Sequence, residues 1–280
     1  MDIFSKNLNR IARLCGIAVL LAGLWVPAVA KAEGVADGSF VSKLAVGGAV
    51  LVKPKYEGSD EFDVYGIPYA VVLGNGLRRF SFEGIDDVRY ALYRNNGFEV
   101  GPTIGYWFDR EESDSATLNG LGDIDGAFVA GGYAKYDFGG FFADVSFHHG
   151  FNGDDPGYLI KTGIGSKSRI SERVKLKARA GITFASEDYM DTYFGVTAAQ
   201  SAASGVLPAF NPDSGIKDVH VSLGATIGLT DRWYLVASGE YSRLVGDAED
   251  SPVVESEDQF TGLIGLTYRL GGHGAPEPLK

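Results

Sequence analysis

Four histidines have side chains that could act as a general base: His148, His149, His220 and His273. Ser146 lies two residues before His148, so on an extended strand both side chains point to the same face. A nucleophilic serine needs a base within hydrogen-bond reach and a third group that orients that base. Here only the spacing of one pair fits, and any polar strand face contains such pairs. We therefore predict no catalytic residue and no enzymatic activity.

Two segments rich in carboxylates could bind a cation. They are DREESDS with GDIDG, within 109–126, and GDAEDSPVVESED, at 246–258. Neither has the ordered ligand spacing of a calcium loop. We therefore predict no metal site and no cofactor site, and we interpret both segments as hydrated acidic surface.

The N-terminus predicts a cleaved secretory signal peptide over residues 1–32. Lys6, Arg10 and Arg13 precede the apolar run GIAVLLAGLWVPAVA, and an A-x-A-like site follows at 30–32. This leader holds four basic residues and one acidic residue, so the remainder carries 21 basic and 35 acidic residues, a net charge of −14. A chain this acidic predicts no nucleic-acid partner, because phosphate binding needs a basic footprint. The only cysteine, Cys15, lies in the leader.

Alternating apolar and polar residues recur along the rest of the chain. From Val174 to Phe184, for example, every second residue is apolar, and the residues between are lysine, arginine, glycine or threonine. This period predicts twelve strands, with ten as the alternative count. They lie near 42–52, 63–73, 77–84, 87–95, 98–108, 127–137, 140–149, 158–168, 173–185, 217–229, 233–243 and 260–270.

The connections between these strands distinguish a membrane barrel from a soluble β-sandwich. Connections after even-numbered strands are tight, whereas most after odd-numbered strands are long and acidic. Short periplasmic turns and long external loops are typical of outer-membrane barrels, and strands of about ten residues can cross the bilayer when tilted. We therefore predict an all-β, antiparallel, up-and-down transmembrane barrel over 33–270. A Gly/Pro-rich tail at 271–280 is predicted to be disordered and periplasmic.

Aromatic residues on the outward faces support this orientation. They form two predicted interfacial girdles, as expected for a membrane barrel. The residues are Phe98, Trp233 and Tyr268 at the periplasmic rim, and Phe108, Tyr241 and Phe260 at the external rim.

Charged side chains on the inward faces are the candidate functional residues of the lumen. Charges inside a small barrel must be paired or hydrated. Two interpretations follow: a salt-bridged and largely closed interior, or a narrow pore whose electropositive strip favours anions. The candidate lumen charges are Lys161, Lys175, Lys177, Arg179, Glu99 and Glu240.

Several long stretches resemble the MipA/OmpV family of outer-membrane proteins. They are PKYEGSDEFDVYGIPY at 54–69, GPTIGYWFDRE at 101–111, LNGLGDIDGAFVAGGY at 118–133, YMDTYFGVTAAQSAASGVLPAF at 189–210, the stretch at 215–254, and QFTGLIGLTYRL at 259–270. The 189–210 stretch resembles an external loop characteristic of the family, and its Ala/Ser run could form either a short helix that caps the barrel mouth or a plain solvated loop. The candidate signature residues of this loop are Tyr189, Tyr193, Phe194, Gln200 and Ser201.

The resemblance implies a non-enzymatic scaffold that holds a murein lytic transglycosylase and a bifunctional penicillin-binding protein at the outer membrane. The barrel fold and the acidic external loops predict contact with outer-membrane lipid and lipopolysaccharide, whose phosphates divalent ions could bridge to these loops without forming a cofactor site. The alternative function is a small channel, or a surface receptor or adhesin, that uses the charged lumen and the acidic external loops.

Overall fold

The computed structural model describes residues 44–72, 79–151 and 156–270. The leader at 1–32, the segment 33–43 and the tail at 271–280 lie outside these residues. The cleaved leader and the disordered tail therefore stay predictions. Within the described residues, no helix is long and apolar enough to cross a membrane.

The described residues form thirteen antiparallel strands. The strands are β1 (Leu44–Pro54), β2 (Phe62–Val72), β3 (Phe80–Gly84), β4 (Asp87–Tyr90), β5 (Tyr93–Asn95), β6 (Phe98–Trp107), β7 (Ala127–Phe138), β8 (Phe141–Phe151), β9 (Tyr158–Arg169), β10 (Val174–Ala185), β11 (Gly215–Gly228), β12 (Trp233–Leu244) and β13 (Asp258–Arg269).

These strands form one sheet in the order β2-β1-β13-β12-β11-β10-β9-β8-β7-β6-β4-β3, and β5 also pairs with β6. The first strand pairs with the last, with Val50 opposite Ile264. The path ends at β2 and β3, between which the described residues show no pairing. Side chains from strands far apart along this path meet inside, as Glu83 of the end strand β3 does with Lys177 of β10. The sheet is therefore rolled into a barrel, which confirms the predicted fold class.

The structure interrupts the predicted strand at 87–95. It divides into β4 and β5 at Ala91 and Leu92, which accounts for thirteen strands where twelve were predicted. β4 crosses closely over Gly101 of β6, where a Cβ atom would lie 1.8 Å from the carbonyl oxygen of Tyr90. The carbonyl oxygens of Ala91 and Leu92 accept hydrogen bonds from Arg79 instead of continuing the ladder.

Three short helices and two 3₁₀ turns lie in the long connections. The 3₁₀ turns span Glu112–Asp114 and Ala116–Leu118, between β6 and β7. Helices α1 (Glu187–Phe194) and α2 (Ala198–Ser204) lie between β10 and β11, and α3 (Asp247–Asp250) lies between β12 and β13. Opposite them, the periplasmic turns are short, as at Gly139 and Gly140.

The outer face of the barrel is apolar, as a lipid-facing wall must be. Its exposed side chains include Val64, Leu223 and Ile264. At the periplasmic rim Trp233 packs against Tyr268, with ring centroids 4.8 Å apart. At the external rim Tyr241 lies 5.0 Å from Phe260. The predicted girdle residue Phe108 instead lies beyond the end of β6, under the ammonium group of Lys53 at 4.4 Å.

Candidate functional site: the charged lumen and its external cap

The inward strand faces carry a dense set of charges, most of them paired. Of the predicted lumen charges, Lys161 pairs with Asp86 in the turn after β3, and Lys177 pairs with Glu83. Because β3 and β4 lie far from β9 and β10 along the sheet, both pairs cross the lumen.

The remaining predicted charges differ in their surroundings. Glu99 is buried, where it accepts hydrogen bonds from Arg94 at 2.7 Å and from Tyr133 at 2.6 Å. Glu240 of β12 is exposed to the lumen. Lys175 lies opposite Arg169 on β9. The sequence could identify these inward positions but not their partners.

Asp144 is the junction of the lumen charges. Its carboxylate contacts the guanidinium of Arg89 at 2.8 Å and that of Arg179 at 3.1 Å, and its side chain is 1% exposed. Arg89 also forms two hydrogen bonds with Asp87, at 2.9 and 2.7 Å. Thr103 donates a further hydrogen bond to Asp87 at 2.9 Å. Both guanidinium groups are therefore compensated within the wall.

His220 extends this network towards the external end. Arg179 Nη1 lies 2.5 Å from His220 Nε2, and His220 Nδ1 lies 2.8 Å from Asp218. Because a guanidinium can only donate, Nε2 must accept, and Nδ1 must carry the proton that it donates to Asp218. Thr183 donates to the same carboxylate oxygen at 3.0 Å. His220 is thus a bridge between an arginine and an aspartate.

A β-bulge at the external end of β11 adds a buried lysine to the network. The pairing of β10 with β11 shifts between Thr183↔Asp218 and Phe184↔Ile216, which leaves Lys217 unopposed. The bulge lets neighbouring residues point inward together. Lys217 contacts Asp218 at 3.0 Å and Glu57 at 2.5 Å. The network therefore leaves the barrel wall and reaches the first external loop.

Ser146 and His148, the weak catalytic candidates, are hydrogen-bonded inside the barrel. Ser146 Oγ lies 2.8 Å from His148 Nε2 and accepts from Arg89 at 3.3 Å. Asp87 is 3.7 Å from the same Nε2, not from Nδ1, which has no partner in the described part of the chain. Both residues are at most 1% exposed. The pair thus lacks the orienting acid and the access that a nucleophile needs.

The long external loops fold together into a cap, which we define as residues 55–61, 108–126, 186–214 and 245–257. Helix α1 lies across the barrel mouth, with Tyr189, Met190, Tyr193 and Phe194 buried. They pack on inward residues at the external strand ends, which are Trp107, Ala127, Val129, Leu159, Ala185 and Leu244. The mouth is therefore filled by an apolar plug.

A second apolar cluster joins the loops to one another above the plug. It contains Tyr56, Leu118, Leu121, Val196 and Val253, one or two from each long loop. Polar contacts lock the plug in place: Arg110 donates to the carbonyl oxygen of Tyr193 at 3.0 Å, and Ser251 donates to that of Phe194 at 2.5 Å.

The signature residues of the 186–216 loop have identifiable contacts. Tyr189 donates to Glu57 at 2.8 Å, which joins the cap to the lumen network. Burial and the charge of Glu57 raise the pKa of Tyr189 well above its usual value, so the phenol stays protonated. Gln200 closes a capping box with Thr197 and donates to the carbonyl oxygen of Leu121 at 2.7 Å. Ser201 donates to the carbonyl oxygen of Leu207 at 2.7 Å.

Several acidic residues of the cap are structural, which differs from the predicted hydrated surface. Glu112 accepts from the backbone amides of Gly120 at 2.7 Å and Gly122 at 3.2 Å. Asp114 is buried and accepts from the amide of Glu111 at 2.8 Å. Glu255 accepts from Ser115 and Thr117, at 2.5 and 2.6 Å. These carboxylates satisfy loop groups that would otherwise lack partners.

Sequence reasoning did not assign a role to four residues that carry the network: Glu57, Asp144, Lys217 and Asp218. Alternation could have placed Asp144 inward, because it shares its face with Ser146. It could not have placed Lys217, because the bulge breaks the alternation. Nor could it have assigned Glu57, whose role depends on loop packing.

These features define an outer-membrane β-barrel with a charged interior, periplasmic turns and a folded external cap. The family model of MltA-interacting protein MipA matches residues 46–270, and the chain belongs to this family. The chain is 26% identical to "MltA-interacting protein" of Escherichia coli over 86% of this chain and 95% of that protein. It is 27% identical to "Outer membrane protein Omp26La" of Vibrio anguillarum, over 69% and 76% of the two chains. It is also 27% identical to "Outer membrane protein OmpV" of Vibrio cholerae, over 71% and 77%.

Solved outer-membrane barrels overlap the fold only loosely. The translocator domain of autotransporter NalP from Neisseria meningitidis covers 96% of this chain and 98% of its own, at 10% identity and a TM-score of 0.41. The COG4313 outer-membrane channel from Pseudomonas putida covers 86% and 98%, at 9% identity and a TM-score of 0.40. At this similarity neither structure carries a functional argument.

Proposed function

We propose that this outer-membrane barrel is a scaffold that holds peptidoglycan-remodelling enzymes at the inner side of the outer membrane. The observation that carries the proposal is the match to the MipA family over 46–270. The chain also aligns with almost the whole length of a relative that is named for its interaction with MltA. The partners implied by the resemblance are a lytic transglycosylase and a bifunctional penicillin-binding protein.

The structure supports a periplasmic location for the partner surface. The cap fills the external mouth with apolar contacts, and charged groups also lie at the opposite, periplasmic end of the barrel. Exposed arginines lie there at the strand ends and turns, among them Arg94 and Arg173. Arg94 pairs with Glu99 and Arg173 with Asp231, so the rim presents charges of both signs, and such charges fix the register of a complementary partner surface.

The rim is also small. Its described turns are short, and an interface on turns alone is below the area that stable complexes usually bury. We therefore expect a weak or transient complex, in which the residues outside the described ranges, 33–43 and 271–280, could enlarge the contact.

Site-specific photo-crosslinking in cells tests this proposal. A crosslinking amino acid is placed at Gly139 or Thr230 of the periplasmic turns, and, as a matched control, at Asn119 or Ala202 of the cap. We expect capture of a lytic transglycosylase or a penicillin-binding protein, identified by mass spectrometry, from the turn positions only. Capture of ordinary outer-membrane neighbours alone, or equal capture from the cap, would refute the scaffold.

The channel or receptor alternative stays a prediction. Its charged lumen is present, but in the described conformation solutes would have to displace α1 to leave through the external mouth. Planar-bilayer conductance of the purified barrel would decide between a closed and an open lumen.

A further inference from the structure

Three lysines surround one buried aromatic ring near the periplasmic end of the lumen. The ammonium groups of Lys135, Lys167 and Lys177 lie 5.2, 5.1 and 5.5 Å from the ring centroid of Phe142. Phe142 is 2% exposed. We call these four residues the lysine cluster. It lies on β7 to β10, close to the periplasmic turns that join these strands.

The strand register concentrates positive charge at this point. Lys167 of β9 lies directly opposite Lys177 of β10, and the next inward pair towards the periplasm is Arg169 opposite Lys175. Like charges directly opposite each other on one face destabilise a sheet. These two consecutive pairs of like charges destabilise the sheet locally, and the packing of the fold does not require them.

The cluster is only partly neutralised. Lys135 contacts Asp137 at 3.1 Å, and Lys177 pairs with Glu83 across the lumen. For Lys167, no carboxylate lies within ion-pair distance among the residues that the structure describes. A cation over an aromatic ring is stabilised by it, but a ring has only two faces, and three ammonium groups lie near the ring of Phe142. One positive charge is therefore left for another partner.

The cluster is open to a ligand from one side. Lys177 keeps 30% of its side chain exposed, and Lys167 is half-buried. Lys177 has Gly224 as its neighbour on β11, so no side chain covers it there. At the other end of the barrel the cap fills the mouth. A ligand of the cluster would therefore enter from the periplasm.

We propose that the lysine cluster is a binding site for an oxyanion, a phosphate or carboxylate group that reaches the lumen from the periplasm. The site's charge matches such a group, and multiple ammonium donors suit its several acceptor oxygens. This inference is independent of the scaffold function, because it concerns the lumen and not the outer surface of the rim.

Calorimetric titration of the folded full-length barrel in detergent tests the site, with inorganic pyrophosphate and citrate as the two probes. We expect saturable binding that weakens at 1 M salt, since screening reduces such contacts. Lys167→Gln should raise the Kd at least tenfold. Lys53→Gln is the matched control: it also removes a lysine that lies over a ring, that of Phe108, but at the external end. It should change the Kd less than twofold.

The two probes separate the sources of the ligand. Binding of pyrophosphate alone assigns a phosphate-bearing ligand, binding of citrate alone assigns a carboxylate-bearing one, and equal binding assigns a general oxyanion site. Binding of neither probe, or the same Kd with and without Lys167→Gln, would overturn the proposal.

A stability measurement distinguishes a site from a structural cluster. Lys167→Gln removes repulsion from Lys177, so the urea midpoint of the ligand-free barrel should rise while affinity falls. A fall in the urea midpoint would show that the lysine stabilises the wall and would likewise overturn the proposal. Electrophoretic mobility of each variant, loaded without heating, would verify that the barrel has folded.

Discussion

At the scale of single residues, Asp144 compensates two guanidinium groups, that of the buried Arg89 and that of the partly buried Arg179. Asp144→Asn would leave Arg89 and Arg179 short of negative charge in a site that water does not reach. Breaking a buried ion pair in this way typically costs about 3–5 kcal/mol. We expect a loss of this size in the free energy of unfolding, measured by urea titration of the barrel in lipid vesicles.

Glu240→Gln is the control for this prediction. Glu240 also carries charge inside the lumen, but it is exposed there. Its replacement should cost about 0–1 kcal/mol, as for exposed pairs. Equal losses for the two variants would show that the lumen around Asp144 is hydrated.

Glu255 gives the cap a dependence on pH. Burial alone would raise its pKa, but the hydrogen bonds from Ser115, Thr117 and Tyr56 hold the pKa below the usual range for glutamate. A depressed pKa stabilises the folded cap above the pKa of the unfolded chain, about 4.3. This stabilisation is lost as the pH falls from that value through the lower pKa of the folded cap.

We therefore expect protease cleavage within the cap to accelerate on acidification below about pH 4.3. Glu255→Gln should accelerate cleavage already at neutral pH and should weaken the acid response. If the variant matched the wild type at pH 7, the hydroxyl contacts of Glu255 would not stabilise the cap.

Alternation along the strands predicted the inward position of Lys161, Lys177 and Arg179, because side-chain direction follows from strand period alone. It did not predict their partners, since Asp86 and Glu83 approach from across the lumen. Such contacts depend on how the sheet is rolled. A local pattern contains no such information.

At the scale of elements, the cap depends on close contact between two loops at Gly120. This residue has φ +88°, and a Cβ atom there would lie 2.5 Å from the backbone nitrogen of Ser204 in α2. Gly120→Ala should therefore separate the loop from the helix. We expect amide exchange over 198–204 to become at least tenfold faster, measured by mass spectrometry.

Gly122→Ala is a matched control two residues away. Gly122 also has positive φ, +75°, but nothing lies within 4 Å of its Cβ position. This variant should incur only the backbone strain, about 1–2 kcal/mol. If both variants accelerated exchange in α2 equally, strain and not the close approach would be the cause.

The helices of the cap illustrate what element-level patterns could predict. The Ala/Ser run at 198–204 indicated a possible helix, since alanine favours helix. The structure forms α2 there, with Thr197 as its N-cap. α1 was harder to predict, because its apolar residues are buried by the ends of several strands that are remote from it in sequence. The packing of four loops depends on contacts remote in sequence.

At the scale of the whole molecule, the pairing of β1 with β13 joins the first described strand to the last. Val50 and Ile264 are opposite each other and face lipid, with 43% and 53% exposure. Opposed residues in an antiparallel pair have Cα atoms about 4.5–5.5 Å apart, within the range of a disulfide. We expect Val50→Cys with Ile264→Cys, in a Cys15→Ser background, to crosslink on oxidation, seen as altered mobility on a non-reducing gel.

Val50→Cys with Gly262→Cys is the control, because this pair is diagonal, at about 7–8 Å. It should crosslink poorly. Efficient crosslinking of the diagonal pair would indicate a register shifted by two residues.

The barrel itself could be predicted because strand period, loop alternation and family resemblance all indicate the same architecture. The folded cap could not, because its loops look like hydrated acidic segments when each is considered separately. Apolar residues such as Tyr56 and Val253 are few in three of the loops, and those of the 186–214 loop are buried only by strand ends and loops remote in sequence.

The link from Glu57 to Lys217 and Tyr189 also orders the events of folding. Glu57 follows β1, whereas its partner Tyr189 lies in α1 and its partner Lys217 lies in β11. Gln259 of β13 donates a hydrogen bond to the carbonyl oxygen of Ser59 at 3.3 Å. Contacts this distant in sequence require the intervening chain to be brought together. The cap is therefore complete only when the last strand has joined the first. The external surface of the folded cap is therefore present only on fully assembled barrels. An antibody that recognises this surface would count assembled molecules on intact cells.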